Sequence, residues 1–131
     1  MLTKEEHIQY WISSSEKDWK VIDDLYKADD FVYSLFFAHL VIEKICKALW
    51  VKNNENNYPP KVHNLVYLLE NARIEIEDDH KEFALFLNDF QLQGRYPDYE
   101  QKIFEICTKQ KTDEILDKVK NLRICLLNKL Q

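Results

Sequence analysis

A single glycine, Gly94, stands among the 131 residues of this chain, together with three prolines. Glycine and proline supply the backbone angles of tight turns, so a chain with so few of them does not favour the hairpins of a β-rich fold. Hydrophobic residues make up 46% of the sequence, which is enough to fill a packed core. The sequence therefore predicts an all-α protein, and its length predicts one domain over residues 1–131.

Apolar residues recur at three- and four-residue steps along most of the chain, which predicts amphipathic helices. The first helix opens with a capping box of Thr3 and Glu6, in which each side chain satisfies a backbone donor of the other residue. The second helix is predicted over about 31–51, with Asp29 or Asp30 as the cap, and the third over about 63–74. The fourth is predicted from the caps Asp78 and Asp79 to Gly94. Further helices are predicted over about 99–109 and onward from the cap Thr112. The longer segments predict a bundle of about five helices with short connections, and the segment over 99–109 adds a short helix.

The cysteines and the charge limit the classes of function. Cys46, Cys107 and Cys125 lie in apolar helical patterns without C-x-x-C spacing, which predicts buried, reduced thiols and no disulfide framework. No stretch has the length and apolarity of a membrane span, and the first residues lack a signal-peptide core, so we expect a cytoplasmic protein without a membrane contact. The net charge of −5 does not favour a broad DNA-binding face. A local cationic cleft for a nucleotide or RNA remains compatible with it.

Four polar residues stand beside the apolar stripes. His39, Glu43 and Lys47 are spaced four apart and so form one line along the second helix. This line is either an ordinary surface ladder of ion pairs or a polar edge that faces a cleft or a dimer contact. His63 follows a double proline and either caps the third helix or donates into a groove, although a histidine without function is common at such positions.

The stretch around the glycine holds an arginine on a constrained turn. Gly94 allows a left-handed exit from the fourth helix, and Pro97 keeps Tyr96 extended. A guanidinium fixed in this way suits bidentate capture of phosphate or carboxylate, with Tyr96 available for stacking. Alternatively, Arg95 and Asp98 form a pair that only closes the turn.

Several chemistries lack their usual sequence patterns. The four histidines lie on different segments without H-x-x-x-H or H-E-x-x-H spacing, so no metal ligands are predicted. No serine stands in a G-x-S-x-G turn, and one glycine cannot form a phosphate-binding glycine-rich loop. We therefore assign no catalytic residue and no cofactor, and hydrolase and kinase-like functions are not favoured.

Three motifs, in order, resemble those of the HEPN domains of prokaryotes. The first motif is "FFAHLVIEKICKALW", the second is "YPPKVHNLVYLL" and the third is "GRYPD". The matching residues are Phe36, Ala38, Glu43, Lys44, Lys47, Ala48 and Leu49 in the first motif, Pro60, His63 and Leu65 in the second, and Arg95, Tyr96 and Pro97 in the third. The resemblance extends over roughly the whole chain.

The resemblance implies an up-and-down helical bundle that forms a homodimer and has a cleft for a nucleotide or RNA. It also implies a minimal nucleotidyltransferase as a partner protein, the two acting as a toxin–antitoxin pair. Many HEPN proteins are metal-independent ribonucleases with an R-x(4–6)-H motif, in which arginine and histidine converge on the scissile phosphate. No histidine follows Arg95 in that window, so the general acid–base group is missing where the family has it.

We therefore expect a non-catalytic module that binds a nucleotide or RNA and a partner protein. In this hypothesis Arg95 grips the phosphate, Tyr96 stacks on a base, and the other ligand-binding residues are Lys47, His63, Glu43 and Asp98. One alternative is a ribonuclease toxin with an altered active site, in which Arg95 clamps the phosphate and His63 is the acid–base group. The other alternative is a dimerising structural adaptor without a ligand.

Overall fold

The computed structural model describes residues 1–92, 102–103 and 105–131. The described residues form five α-helices and one 3-10 turn, and no strand occurs among them. The elements are α1 (Lys4–Lys27), α2 (Phe31–Asn53), α3 (Leu65–Asn71), α4 (Asp78–Leu87), the 3-10 turn (Asn88–Phe90) and α5 (Lys109–Asn128). The prediction of an all-α helical bundle is confirmed. Lys102, Ile103, Glu105 and Ile106 are also helical, within the helix predicted over 99–109.

Helix α1 begins as its sequence predicts. The Glu6 amide donates to Thr3 Oγ1 at 3.1 Å, and the Thr3 amide donates to Glu6 Oε1 at 3.2 Å, which completes the capping box. Ile8, Ser15 and Ile22 are the buried residues of this helix, spaced seven apart, so they lie on one stripe. This stripe packs along α2.

Helix α2 is the centre of the bundle. It contacts α1, α3, α5 and the 3-10 turn, and residues on almost every side of it are buried. Leu35, Ile42 and Leu49 are fully buried, as the predicted stripe requires. The main core cluster also takes buried residues from the other four helices, for example Ile22 of α1 and Leu122 of α5. Because α2 is surrounded, any polar side chain in its middle must find partners inside the protein.

Helix α3 is shorter than the helix predicted over 63–74. Its cap is Asn64, whose Oδ1 accepts the Tyr67 amide at 3.2 Å, and its last residue is Asn71. Arg73 follows with a φ of 56°, in the left-handed region that stops an α-helix. His63 therefore precedes the helix and does not cap it.

Helix α4 also differs from its prediction at both ends. Asp78 and Asp79 do not stand at the cap. They stand in the first turn, and their carboxylates complement the helix dipole from there. The cap position belongs to Glu77, which makes no side-chain capping bond. The helix ends at Leu87 and continues as the 3-10 turn, whereas the prediction extended it to Gly94, which lies outside the described residues.

The cap predicted for the last helix is wrong. Thr108 caps α5, because its Oγ1 accepts the Lys111 amide at 3.1 Å. Thr112 stands one turn later and is fully buried. Within the described residues, no helix has both the length and the hydropathy that a membrane crossing needs.

The predicted thiols are largely as expected. All three cysteines are free, with Cys46 and Cys107 buried and Cys125 partly exposed. Burial raises the pKa of Cys107 to about 11, and burial also raises the pKa of Cys46. Neither buried thiol is therefore a ready nucleophile.

Candidate functional site

The polar line on α2 lies inside the bundle. His39 is 0%, Glu43 4% and Lys47 7% exposed, so the interpretation as a surface ladder of ion pairs is wrong. Side chains four residues apart lie one above the other on a helix. The Glu43 carboxylate therefore lies between the Lys47 ammonium and the His39 imidazole. Such groups stay inside a protein only when they are paired.

Glu43 binds two basic groups with its two oxygens. Lys47 Nζ donates to Glu43 Oε2 at 3.1 Å, and His63 Nδ1 lies 2.9 Å from Glu43 Oε1. His39 Nδ1 faces the same Oε1 at 3.7 Å, which is an ion-pair distance but too long for a hydrogen bond. The carboxylate is therefore shared by α2 and by the residue that precedes the cap of α3. We call Glu43, Lys47 and His63 the Glu43 cluster.

His63 is the most exposed member of the Glu43 cluster. Its side chain is 43% exposed, against 5% for the Glu43 side chain. Since Nδ1 faces the carboxylate, Nε2 is the nitrogen left for solvent or a ligand, and no described residue bonds it. An imidazole held on one nitrogen and open on the other can donate or accept a hydrogen bond at a fixed point.

Lys47 is held from a second side by α1. Its ammonium lies 5.3 Å from the centroid of the Trp11 ring, within the range of a cation–π contact. Together with the bond to Glu43, this contact leaves Lys47 almost without exposed surface. Lys47 therefore balances the charge of Glu43 more than it presents a charge to solvent.

A second network joins His39 to the start of α3. His39 Nε2 lies 3.3 Å from Asn88 Oδ1, which also accepts the Leu65 amide at 3.0 Å. Asn88 Nδ2 in turn donates to Asn64 Oδ1 at 3.3 Å. Sequence reasoning did not identify Asn64 or Asn88, because 49 positions separate Asn88 from His39 and no motif links them.

Burial decides the protonation of His39. Desolvation lowers its pKa below the ordinary value of 6.5, and the nearby Glu43 carboxylate opposes this shift only in part. His39 is therefore neutral at pH 7, and the Asn88 oxygen requires that its proton be on Nε2.

Three predicted site residues, Arg95, Tyr96 and Asp98, lie outside the described residues. Their role as a phosphate grip, a stacking ring and a neighbouring acid stays a prediction. The structure does bring Glu43, Lys47 and His63 together, although His63 is 20 positions from Glu43 in the chain.

A concave apolar surface lies away from the Glu43 cluster. A groove of about 620 Å³ lies between α4 and α5, with the apolar side chains Phe83, Phe86, Ile106 and Ile115 and a rim of both charge signs. No member of the Glu43 cluster lines it. Within the part of the chain that the structure describes, no group of three or more histidine, cysteine or acidic residues could hold a metal ion.

The comparisons with known proteins agree with the motifs. Residues 8–129 match the family model of the HEPN domain, which covers nearly the whole chain. A search of the curated proteins and a search of the solved structures each found no match.

Proposed function

The chain belongs to the HEPN domain family, and on that basis we propose that it binds the phosphate of a nucleotide or RNA at His63 without cleaving it. Membership in this family indicates a nucleotide- or RNA-related function. The observation that supports the site is the Glu43–His63 contact of 2.9 Å, in which a buried carboxylate holds a half-exposed imidazole. The ligand then meets an oriented donor whose position is already fixed before binding.

The charges of the cluster support an anionic ligand. Lys47 balances Glu43, so a proton on His63 leaves the cluster with one positive charge in place of none. A phosphate oxygen at Nε2 accepts a charge-assisted hydrogen bond from this protonated imidazole. Lys47 acts through Glu43 in this proposal, because it is buried and does not reach the ligand directly.

The proposal also includes the predicted ligand contacts of Arg95, Tyr96 and Asp98, which lie outside the described residues. Arg95 supplies a bidentate contact to phosphate, Tyr96 stacks on a base, and Asp98 orients Arg95. A minimal nucleotidyltransferase is the proposed partner protein, in a toxin–antitoxin pair. HEPN domains often dimerise, and a homodimer is part of the proposal.

A second function is favoured by one specific observation. A carboxylate bonded to one imidazole nitrogen, with the other nitrogen open, is the arrangement that orients a general acid–base histidine. With Arg95 as the phosphate clamp, the Glu43–His63 pair would allow metal-independent cleavage of RNA. The binding module and this ribonuclease require the same contacts and differ in whether product forms.

One experiment separates these functions. Binding of a short fluorescent single-stranded RNA and of adenosine monophosphate is measured for the wild-type protein, for His63→Ala and for the control His80→Ala, which removes a histidine of the α4–α5 groove. We expect His63→Ala to weaken binding about tenfold or more, as for the loss of a charge-assisted hydrogen bond. His80→Ala should bind like the wild type.

The products are followed on a denaturing gel in the same samples. Intact RNA with the wild-type protein supports the binding module, and cleavage that His63→Ala abolishes supports the ribonuclease. If neither RNA nor nucleotide binds, the proposal is wrong and the structural adaptor is the better account.

A further inference from the structure

Two side chains outside the proposed ligand contacts, His39 and Asn88, connect to His63 through Glu43. The starting point is Asn88, in the 3-10 turn. The Leu65 amide can only donate, so the Asn88 atom 3.0 Å from it must be the oxygen. The Asn88 nitrogen then faces Asn64 Oδ1, which is itself an acceptor because it takes the Tyr67 amide. Two independent contacts therefore fix the orientation of the Asn88 amide.

The fixed amide determines the tautomer of His39. Asn88 Oδ1 faces His39 Nε2 at 3.3 Å and can only accept, so Nε2 carries the proton of this neutral ring. His39 Nδ1 is then bare, and it has no hydrogen-bond partner among the described residues although it is fully buried. Glu43 Oε1 lies 3.7 Å from it and also lacks a proton to donate, and the backbone of His63 lies against the same ring.

The bare nitrogen leaves Glu43 Oε1 to His63. A carboxylate oxygen can accept two hydrogen bonds, but a proton on His39 Nδ1 would make Glu43 Oε1 share its charge between two imidazoles and would weaken its bond to His63. With His39 Nδ1 bare, Oε1 accepts only from His63 Nδ1, at 2.9 Å. Since this carboxylate can only accept, neutral His63 carries its proton on the buried Nδ1, and the exposed Nε2 takes up the second proton when the ring binds a phosphate.

We propose that Asn88 and His39 are positioning residues: Asn88 holds His39 in the Nε2–H form, which keeps Glu43 Oε1 for His63 and so strengthens the bond that holds Nε2 towards the ligand. This inference rests on the proposed function for its purpose, although its geometry does not. The two residues act through Glu43 and do not touch the ligand. The groups that face His39 are Glu43, His63 and Asn88.

The first test reads the tautomers without a ligand. Long-range ¹H–¹⁵N NMR spectra of the imidazoles are recorded at about pH 8, where histidines of ordinary pKa are neutral. We expect the Nε2–H form for His39 and the Nδ1–H form for His63. A wild-type spectrum with His39 in the Nδ1–H form, or His63 in the Nε2–H form, would overturn the inference.

The second test is the Asn88→Asp variant, with Asn71→Asp as the control. The new carboxylate favours a doubly protonated His39, whose Nδ1–H then competes for Glu43 Oε1. We expect His63 to shift from the pure Nδ1–H form towards a mixture, and RNA affinity to fall about fivefold, as for one weakened hydrogen bond. Asn71→Asp adds the same charge at the exposed end of α3 and should change neither the His63 tautomer nor the RNA affinity.

The two proposals can fail separately. An unchanged His63 spectrum in a folded Asn88→Asp protein contradicts the positioning role, whatever the RNA affinity is. If Asn88→Asp does not fold, the wild-type tautomers alone decide. Tautomers as expected in a protein that binds neither RNA nor adenosine monophosphate leave the positioning intact and contradict the proposed function.

Discussion

Glu43 combines a nearly buried negative charge with two different tasks. One oxygen binds the Lys47 ammonium, and the other holds His63 at the surface. Removing a carboxylate from water costs roughly several kcal/mol unless its partners replace the lost hydration. Here Lys47 and His63 replace it, and both partners are themselves oriented by the bond. At the scale of the residue, stability and the proposed binding function depend on the same side chain.

The first prediction concerns this buried ion pair. Glu43→Gln leaves the Lys47 ammonium buried without its counter-charge, so we expect the free energy of unfolding to fall by about 3–5 kcal/mol. The measurement is urea denaturation followed by circular dichroism. The double variant Glu43→Gln with Lys47→Met removes both charges and should recover a large part of the loss.

Asp23→Asn is the matched control for this prediction. Asp23 and Lys27 form the same i,i+4 pair on α1, but their side chains are 66% and 73% exposed. Water and salt screen such a pair, so its loss should leave the denaturation midpoint nearly unchanged. Equal effects of Glu43→Gln and Asp23→Asn would contradict the role of burial.

The second prediction follows from the lowered pKa of His39. When the pH falls below the ordinary histidine pKa of 6.5, His39 takes up a proton in the unfolded chain but not in the folded protein. The free energy of unfolding should therefore fall as the pH decreases from about 7.5 towards the lower pKa of the folded state. Denaturation at a series of pH values measures this slope. Replacing His39 with Gln should flatten it, whereas the control His80→Gln should keep it; an unaltered slope in His39→Gln would exclude His39 as the cause.

At the scale of the helix, the sequence identified the faces better than the ends. The stripe of Leu35, Ile42 and Leu49 was predictable, because burial of one face is what stabilises such helices. The capping box at Thr3 was also predictable, since both of its members stand in one short motif. Thr112 was predicted as the cap although Thr108 is the cap. Each threonine precedes the apolar run of α5, so the local sequence pattern is the same for both. Only the packing of the first turn of α5 distinguishes the two.

The third prediction tests this correction. Thr108→Ala removes the capping bond to the Lys111 amide and should cost about 1 kcal/mol of the free energy of unfolding. Thr112 Oγ1 is buried and has no hydrogen-bond partner among the described residues. Thr112→Val keeps its shape and removes this hydroxyl, so stability should stay equal or rise. Thermal denaturation compares the variants, and a larger loss for Thr112→Val than for Thr108→Ala would restore Thr112 as the cap.

At the scale of the whole molecule, the family and the class of fold could be predicted from the sequence, and so could part of the candidate site. Glu43 and Lys47 are one helical turn apart, and the hypothesis of a ligand site grouped His63 with them, whereas the Glu43–His63 contact is known from the structure. The contribution of Asn88 could not be predicted, since it depends on how the 3-10 turn packs against α2 and the start of α3. The contacts of Arg95 stay a prediction, because this residue lies outside the described part of the chain.

The fourth prediction uses the charge of the whole chain. With a net charge of −5 and a site of one or two cations, the protein should form few phosphate contacts. The logarithm of RNA affinity against the logarithm of salt concentration should then have a slope of about −0.7 to −1.4. Fluorescence anisotropy at several salt concentrations gives this slope. A several-fold steeper dependence would indicate a broad basic face and contradict a single local site.

The most direct measurement of the central claim is an NMR titration of the His63 imidazole with adenosine monophosphate and with single-stranded RNA. We predict that the His63 ring resonances shift and saturate with the binding curve, while those of His80 stay constant. Binding that leaves the His63 resonances unchanged would place the ligand elsewhere and contradict the account.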